Sequence, residues 1–403
     1  MILSSRHLII TCILLCFLNA CATLNSRKIA NTRILHAQQA IPEEKLLDVG
    51  IAVFKSPEIT EKKAKKEGTS PEVRKAENHF IPYHLKNTLE QSGYWGMVRV
   101  TPLKSESADV LVNGEIIESN GENLTLKVTV SDSSGKVWFR KKYKATLKGD
   151  AYDSPIPVQK DACQGLYNAI SNDMANYMKK LRPEYIREIR TISKLKFAQD
   201  FAPQAFENHV REDKKGTYTL NRLPADNDPM MTRISKIRER EYMFEDTINE
   251  YYEGFYDAMW SPYVDWRMLN LTERLALAEQ KRSAFLRKAG GALLIVVAIL
   301  MQLEGVHDST LLTAGLVIVG GQVFLSGMNI SKQAKMHYEA IEELSESFGS
   351  EMEPVVVELE GKKYKLTGSA EEQYARWRAL LREIYYTETG FTPPDISDRK
   401  NLQ

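Results

Sequence analysis

Thiols, imidazoles and carboxylates are where chemistry would reside, and the chain offers four cysteines, seven histidines and 53 acidic residues among 403. Cys12 and Cys16 lie inside an apolar run at 8–18, and Cys21 stands just beyond it. Cys163 is alone downstream, at helical spacing from Leu166 and Ile170, and is expected to be a buried structural thiol. Histidines 36, 79, 84, 209, 307 and 337 show no ligand spacing; His79 and His84 have Pro82 between them. No HExxH, CxxC, P-loop or GxSxG occurs. Carboxylates are dispersed, with no pair singled out for acid–base work. No catalytic residue, metal or cofactor is therefore expected, and the chain is read as a non-enzyme. Lys plus Arg is 54 against 53 acids, a net charge of +1. That balance argues against a nucleic-acid partner. Hydrophobic residues at 43% and charged residues at 27% mark a folded chain. A mean hydropathy of −0.36 excludes a polytopic membrane protein.

Residues 1–20 read as a targeting segment. Arg6 and His7 precede the apolar run, which is too short to span a bilayer. Leu18-Asn19-Ala20-Cys21 resembles the lipobox of bacterial lipoproteins, apolar at its first position and small at its third. The resemblance implies cleavage before Cys21 and attachment of diacylglycerol and palmitate there. More than one acyl chain is what stable anchoring needs. Ala22 rather than Asp at the next position implies, by similarity to Gram-negative sorting, a lipid-anchored protein of the outer membrane facing the periplasm. Cys163 is then left without an intramolecular disulfide partner.

Residues 21–45 are expected to be a tether. From 46 to 182, alternation and turn signals predict one periplasmic sheet domain in the order β-α-β-β-β-β-α. Its first strand covers 47–54. A charge-rich stretch, 55–79, leads to a helix from about Pro82 to Gln91, ended by Gly93. Strands at 97–100 and 110–118 follow. Asn120-Gly121 predicts a two-residue turn, since both positions tolerate positive φ. Leu124, Leu126, Val128 and Val130 alternate with polar neighbours, a strand continues to Leu147, and a helix covers 158–181. The runs DVGIAVF (48–54), NTLEQSGYWGMVRV (87–100) and DVLVNGEI (109–116) resemble the periplasmic α/β domain of envelope lipoproteins. These include the curli secretion lipoprotein, activators of penicillin-binding proteins, and the amino-terminal domain of TolB. The resemblance covers about a third of the chain and brings no catalytic motif with it.

Residues 183–260 are expected to be helical, with Pro183 and Asp228-Pro229 as starts. Aromatics crowd the end of this region. Helical spacing makes most of them core, with Tyr252, Phe255, Trp260 and Trp266 as candidates for a partner interface. Ser261-Pro262 reads as the start of another helix, the first arm of a long helical hairpin over 261–349. Its tip, 289–330, is apolar apart from a polar turn at 304–308. Leu293, Ile295, Val296, Ile299, Leu316, Val317, Val319 and Phe324 represent a surface that water does not accept, at roughly 1.5–3 kcal/mol per buried side chain. Two outcomes are expected for it, a transmembrane helix pair or the core of a homo-oligomer. Arg282, Arg287, Lys288, Lys332 and Lys335 flank the tip. They conflict with an inner-membrane hairpin under the positive-inside rule and are compatible with entry from the periplasm.

A β-hairpin and a final helix are expected over 350–391, with a capping box at Ser369 and Glu372. The tail, 392–403, is expected to be disordered. The fold class is α+β. The function these features imply is an outer-membrane scaffold or component of an oligomeric envelope assembly or transport complex. A regulator of a cell-wall synthase and an envelope enzyme with an unrecognised site remain the alternatives.

Overall fold

The computed structural model describes residues 32–62, 64, 69–102, 108–152, 161–303, 332–350, 352–359 and 361–391. The fold is α+β. Strands β1 (Val49–Ala52), β2 (Val98–Thr101), β3 (Val110–Ser119), β4 (Asn123–Asp132) and β5 (Val137–Thr146) make one mixed sheet in the order β2-β1-β3-β4-β5. β1 runs parallel to both neighbours, and β3, β4 and β5 form an antiparallel meander. Helix α1 (Pro71–Ser92) crosses from β1 to β2, and α2 (Gln164–Met178) follows β5. Leu85 and Leu89 of α1, Leu166 and Ile170 of α2, and Leu124, Leu126, Val128 and Val130 of β4 share one buried core.

α1 is longer than its sequence suggests. Ser70 caps it by accepting from the Val73 N–H, and Pro71 occupies the first turn. Pro82 therefore sits in the interior, where it has no N–H for the carbonyl four residues back. That carbonyl, on Asn78, accepts instead from the Phe54 N–H at 2.9 Å. The proline thus leaves an acceptor that fixes the chain leaving β1. The Phe54 ring then lies over Gly114, where a Cβ would clash with it.

In the β3–β4 turn Gly121 alone takes positive φ, at 81°. Asn120 instead accepts from the backbone N–H groups of Glu122 and Asn123 through its side chain, an Asx turn. The glycine is required because Asn270 and the Arg267 carbonyl press on this turn.

The described part of the expected tether is strapped to the domain. Asn168 donates to the Thr32 carbonyl, Asn172 holds Arg33 and Leu35, and the Ala37 N–H donates to the Ser92 carbonyl.

Helices α3 (Pro183–Phe201) and α4 (Pro203–Phe206) come next. A small hairpin, β6 (Val210–Glu212) with β7 (Tyr218–Leu220), interrupts the stretch expected to be all helix. Asp213 closes it by accepting from the Lys215 and Thr217 N–H groups, with Gly216 at φ 76°. Asp228 then caps α5 (Pro229–Leu303), a helix of 75 residues. α5 does not break at Ser261-Pro262 as expected; aromatic packing on both sides of Pro262 carries it through. α6 (Lys332–Ser350) packs back on α5, with Phe348 against Tyr251 and Phe255 at 4.7 and 4.0 Å. β8 (Val355–Leu359), β9 (Lys362–Leu366) and α7 (Ala370–Thr389) complete the chain, α7 opening on the full capping box of Ser369 and Glu372.

Among the described residues no helix is long and apolar enough to cross a membrane, which overturns the expected transmembrane helix. The reason in α5 is length. Its described uncharged part runs from 289 to 303. Such a run reaches only about 22 Å, against about 30 Å of hydrocarbon. Leu293, Ile295, Val296 and Ile299 belong to the last turns of the α5 backbone. Leu316, Val317, Val319 and Phe324 lie outside the described residues, as do Cys21 and the tail at 392–403.

Candidate functional site

Several buried polar side chains are set along α5. Between Tyr252 and Arg267 this helix faces α1 and α2, with Phe80 of α1 seated 4.8 Å from the Tyr256 ring and 4.5 Å from Tyr263. Polar junctions are set into this aromatic seam. Tyr263 donates to Glu77 at 2.8 Å, and Glu77 also accepts from Arg74 at 3.0 Å and from Ser119. Arg267, 2% exposed, grips both oxygens of Asp161 at 3.0 Å and donates to the Cys163 Sγ.

These groups are arranged for cohesion. The Gln164 amide nitrogen donates to Thr88 and Asn168, so its oxygen accepts from His84 Nε2–H at 2.9 Å. His84 Nδ1 then accepts from the Tyr256 hydroxyl at 2.7 Å. Burial lowers the His84 pKa, and the neutral ring has both nitrogens occupied. Burial likewise pushes the Cys163 thiol up to about 11, against the pull of Arg267, so little thiolate forms at neutral pH.

A second junction ties α5 to the sheet edge. Asn249 donates to the Val100 carbonyl at 3.0 Å and accepts from the Val100 N–H at 2.8 Å, imitating a neighbouring strand for β2. Arg99 pairs with Asp246 at 2.6 Å beside it. A third junction holds the carboxy-terminal module. Tyr374 of α7 lies 2.6 Å from Glu241 and 3.1 Å from Glu245. Burial raises both carboxyls, Glu245 to about 7, where the Glu241 charge adds to the effect. Tyr374 has a single proton, which goes to Glu241. When Glu245 is protonated, its own proton fills the longer contact.

A cleft of about 270 Å³ opens where β1 and β3 begin. Asp48 and Asp109 line its sheet side, Arg190 and Lys194 come from α3, and Arg238, Glu239 and Tyr242 come from α5. Asp109 accepts from the Asp48 N–H at 3.1 Å. Burial raises its pKa, the Asp48 charge adds to that, and Arg238 and Arg190 oppose it. Carboxylates face guanidinium groups across the cleft, an arrangement suited to a dipolar ligand. No histidine lines it. Among the described residues no group of three His, Cys, Asp or Glu is placed to hold a metal.

Of the four aromatics expected at an interface, Tyr252, Phe255 and Trp266 are buried within the chain itself, and Trp260 is half-buried 5.8 Å from His84. The interface they form is between α5, α1 and α6. The cleft and the Glu241–Glu245 pair were not foreseen. One signal was present: charged residues at 241, 245 and 267 fall in phase with the apolar stripe of Phe244, Ile248, Tyr252 and Tyr263, and a charge in such a stripe needs a buried partner.

A solved structure described as protein XCC0632 from Xanthomonas campestris, of the family DUF330, is similar over 36% of this chain and 89% of its own, at 9% identity and a TM-score of 0.21. A likeness of that size carries no argument. No curated protein matches the chain, and no family model does.

Proposed function

We propose that this chain is a non-enzymatic scaffold of the bacterial cell envelope, anchored in the outer membrane through lipid on Cys21, facing the periplasm, and assembled with further copies or with envelope partners. The observation that supports it best is α5. Buried junctions fasten this one helix to the sheet domain, to α3 and to the carboxy-terminal module. Ala276, Ala278, Glu279 and Arg282 are exposed ahead of the apolar sequence that begins at 289. A helix so held fixes the direction in which the apolar sequence 289–330 is offered. A second copy of the chain is the cover we assign to it.

The test is a pair of variants in cells. Cys21→Ser should leave an unprocessed or unanchored precursor, read by mobility and membrane fractionation; unchanged processing and fractionation would sink the lipoprotein reading. Crosslinking followed by affinity capture should recover a defined multimer or complex, and Val296→Asp or Val317→Asp should break it.

The cleft favours a second reading, an envelope enzyme, because Asp48 and Asp109 converge there. Purified protein that degrades isolated sacculi, and loses that ability with Asp109→Asn, would establish it in place of the scaffold.

A further inference from the structure

The sheet has an open face that the scaffold reading leaves without a task. α1 and α2 cover one side of β4 and β5. On the other side the register sets Thr125 opposite Lys144, Lys127 opposite Lys142, and Thr129 opposite Arg140. Arg140, Lys142 and Lys144 are exposed and alternate along β5, about 7 Å apart. Glu115 pairs with Lys127 at 3.0 Å and Glu118 with Lys144 at 3.6 Å, so the acids of β3 answer only part of this charge. Lys on an edge strand is a known guard against edge-to-edge pairing. That guard does not require a second lysine directly across on β4, where like charges repel. Glu115 already relieves Lys127, so the charge left over on this face is carried by Arg140 and Lys142 of β5.

The strap bears on what answers that charge. Thr32 is held by Asn168 of α2, and Asn172 holds the next residues. The adjoining Asp173 accepts from Lys141 at 2.9 Å and from the Tyr143 hydroxyl at 2.7 Å, both on β5. The strap therefore meets the body on the helix side of the edge strand β5, across the sheet from the cationic face, and must round that edge to reach it. Eleven Cα–Cα steps separate Cys21 from Thr32, a reach of at most roughly 35–40 Å. We propose that the open face of β4 and β5 is a docking surface for anionic phospholipid headgroups, brought to the bilayer by the anchor at Cys21. The proposal rests on the anchor reading for its delivery and on the charge of the face for its binding.

The experiment separates the two. Full-length Cys21→Ser protein is sedimented with vesicles of phosphatidylcholine alone, or with about one-third phosphatidylglycerol, at low and high salt. A preference for the anionic vesicles that fades with salt is expected. The triple variant Arg140→Gln, Lys142→Gln, Lys144→Gln should reduce that preference at least ten-fold, since each basic residue near an anionic surface is worth roughly five-fold. Lys142→Arg with Lys144→Arg should retain it, and melting curves confirm that each variant is folded. Equal binding to both vesicle types, or a triple variant that matches its parent, overturns the proposal. So does a triple variant that self-associates with its vesicle preference intact, which would assign the charges to edge protection. Failure of the anchor reading shows separately, as unchanged fractionation of the Cys21→Ser protein in cells.

Discussion

The buried carboxyl of Glu245 gives a test at the level of one proton. Its folded-state pKa is raised to about 7, above the ordinary glutamate value of 4.5. A group raised in this way favours the folded state fully below its unfolded value, and the benefit is lost as pH rises through about 7. His84 acts in the opposite sense: its pKa is lowered, so protonation favours the unfolded state as pH falls below 6.5. Glu245→Gln mimics the protonated acid and keeps a donor for Tyr374. Its melting temperature should decline less than the parent's between pH 5 and pH 8; an identical decline would show that Glu245 ionises elsewhere. Arg267 supplies a second test. Arg267→Met leaves Asp161 charged and buried, at a cost of about 3–5 kcal/mol in urea unfolding. Adding Asp161→Leu should recover part of that loss. At this scale the sequence was half legible. Cys163 could be read as a buried thiol from its helical neighbours. Asp161 could not, because its partner Arg267 is distant in sequence and nothing nearby marks the pairing.

Among the elements, legibility followed the strength of local pattern. β3, β4 and β5 alternate cleanly, and all were expected within a residue or two of where they lie. The capping box of α7 was read directly from Ser369 and Glu372. Prolines misled twice. Pro82 and Pro262 read as helix starts, and both lie inside helices. In each case tertiary packing outweighs the missing hydrogen bond, and at Pro82 the freed carbonyl has found another donor. The short hairpin of β6 and β7 has too few residues to show a period. The clamp on β2 lends itself to mutation. Asn249→Ala should leave the Val100 N–H and carbonyl unpaired, costing about 2–3 kcal/mol. Faster hydrogen exchange at Val100 is the specific readout, and an unchanged rate would show that the strand edge does not depend on this side chain.

For the whole molecule, the order of segments was readable and their mutual fastening was not. A single buried core runs through the sheet domain, α3, α5 and α7. Long-range fastening of this kind depends on pairs such as Glu241 with Tyr374, which no local window contains. One melting transition is therefore expected by calorimetry for the described body. Two well-separated transitions would show that the junctions along α5 are weak.

The unbroken course of α5 through Pro262 carries a geometric consequence of its own. A continuous helix transmits phase. Every added residue turns all that follows by about 100°, and two full turns nearly restore the original heading. Glu279 is exposed and lies beyond Leu271, the last buried side chain of this helix among the described residues. One alanine added after it would leave the body intact and aim the remaining turns at a different quarter of space. Seven alanines would displace those turns outward by about 10 Å and shift their heading by only about 20°. Assembly that fails with one alanine and survives with seven would mean that the rotational heading of this helix, more than its length, decides what it meets.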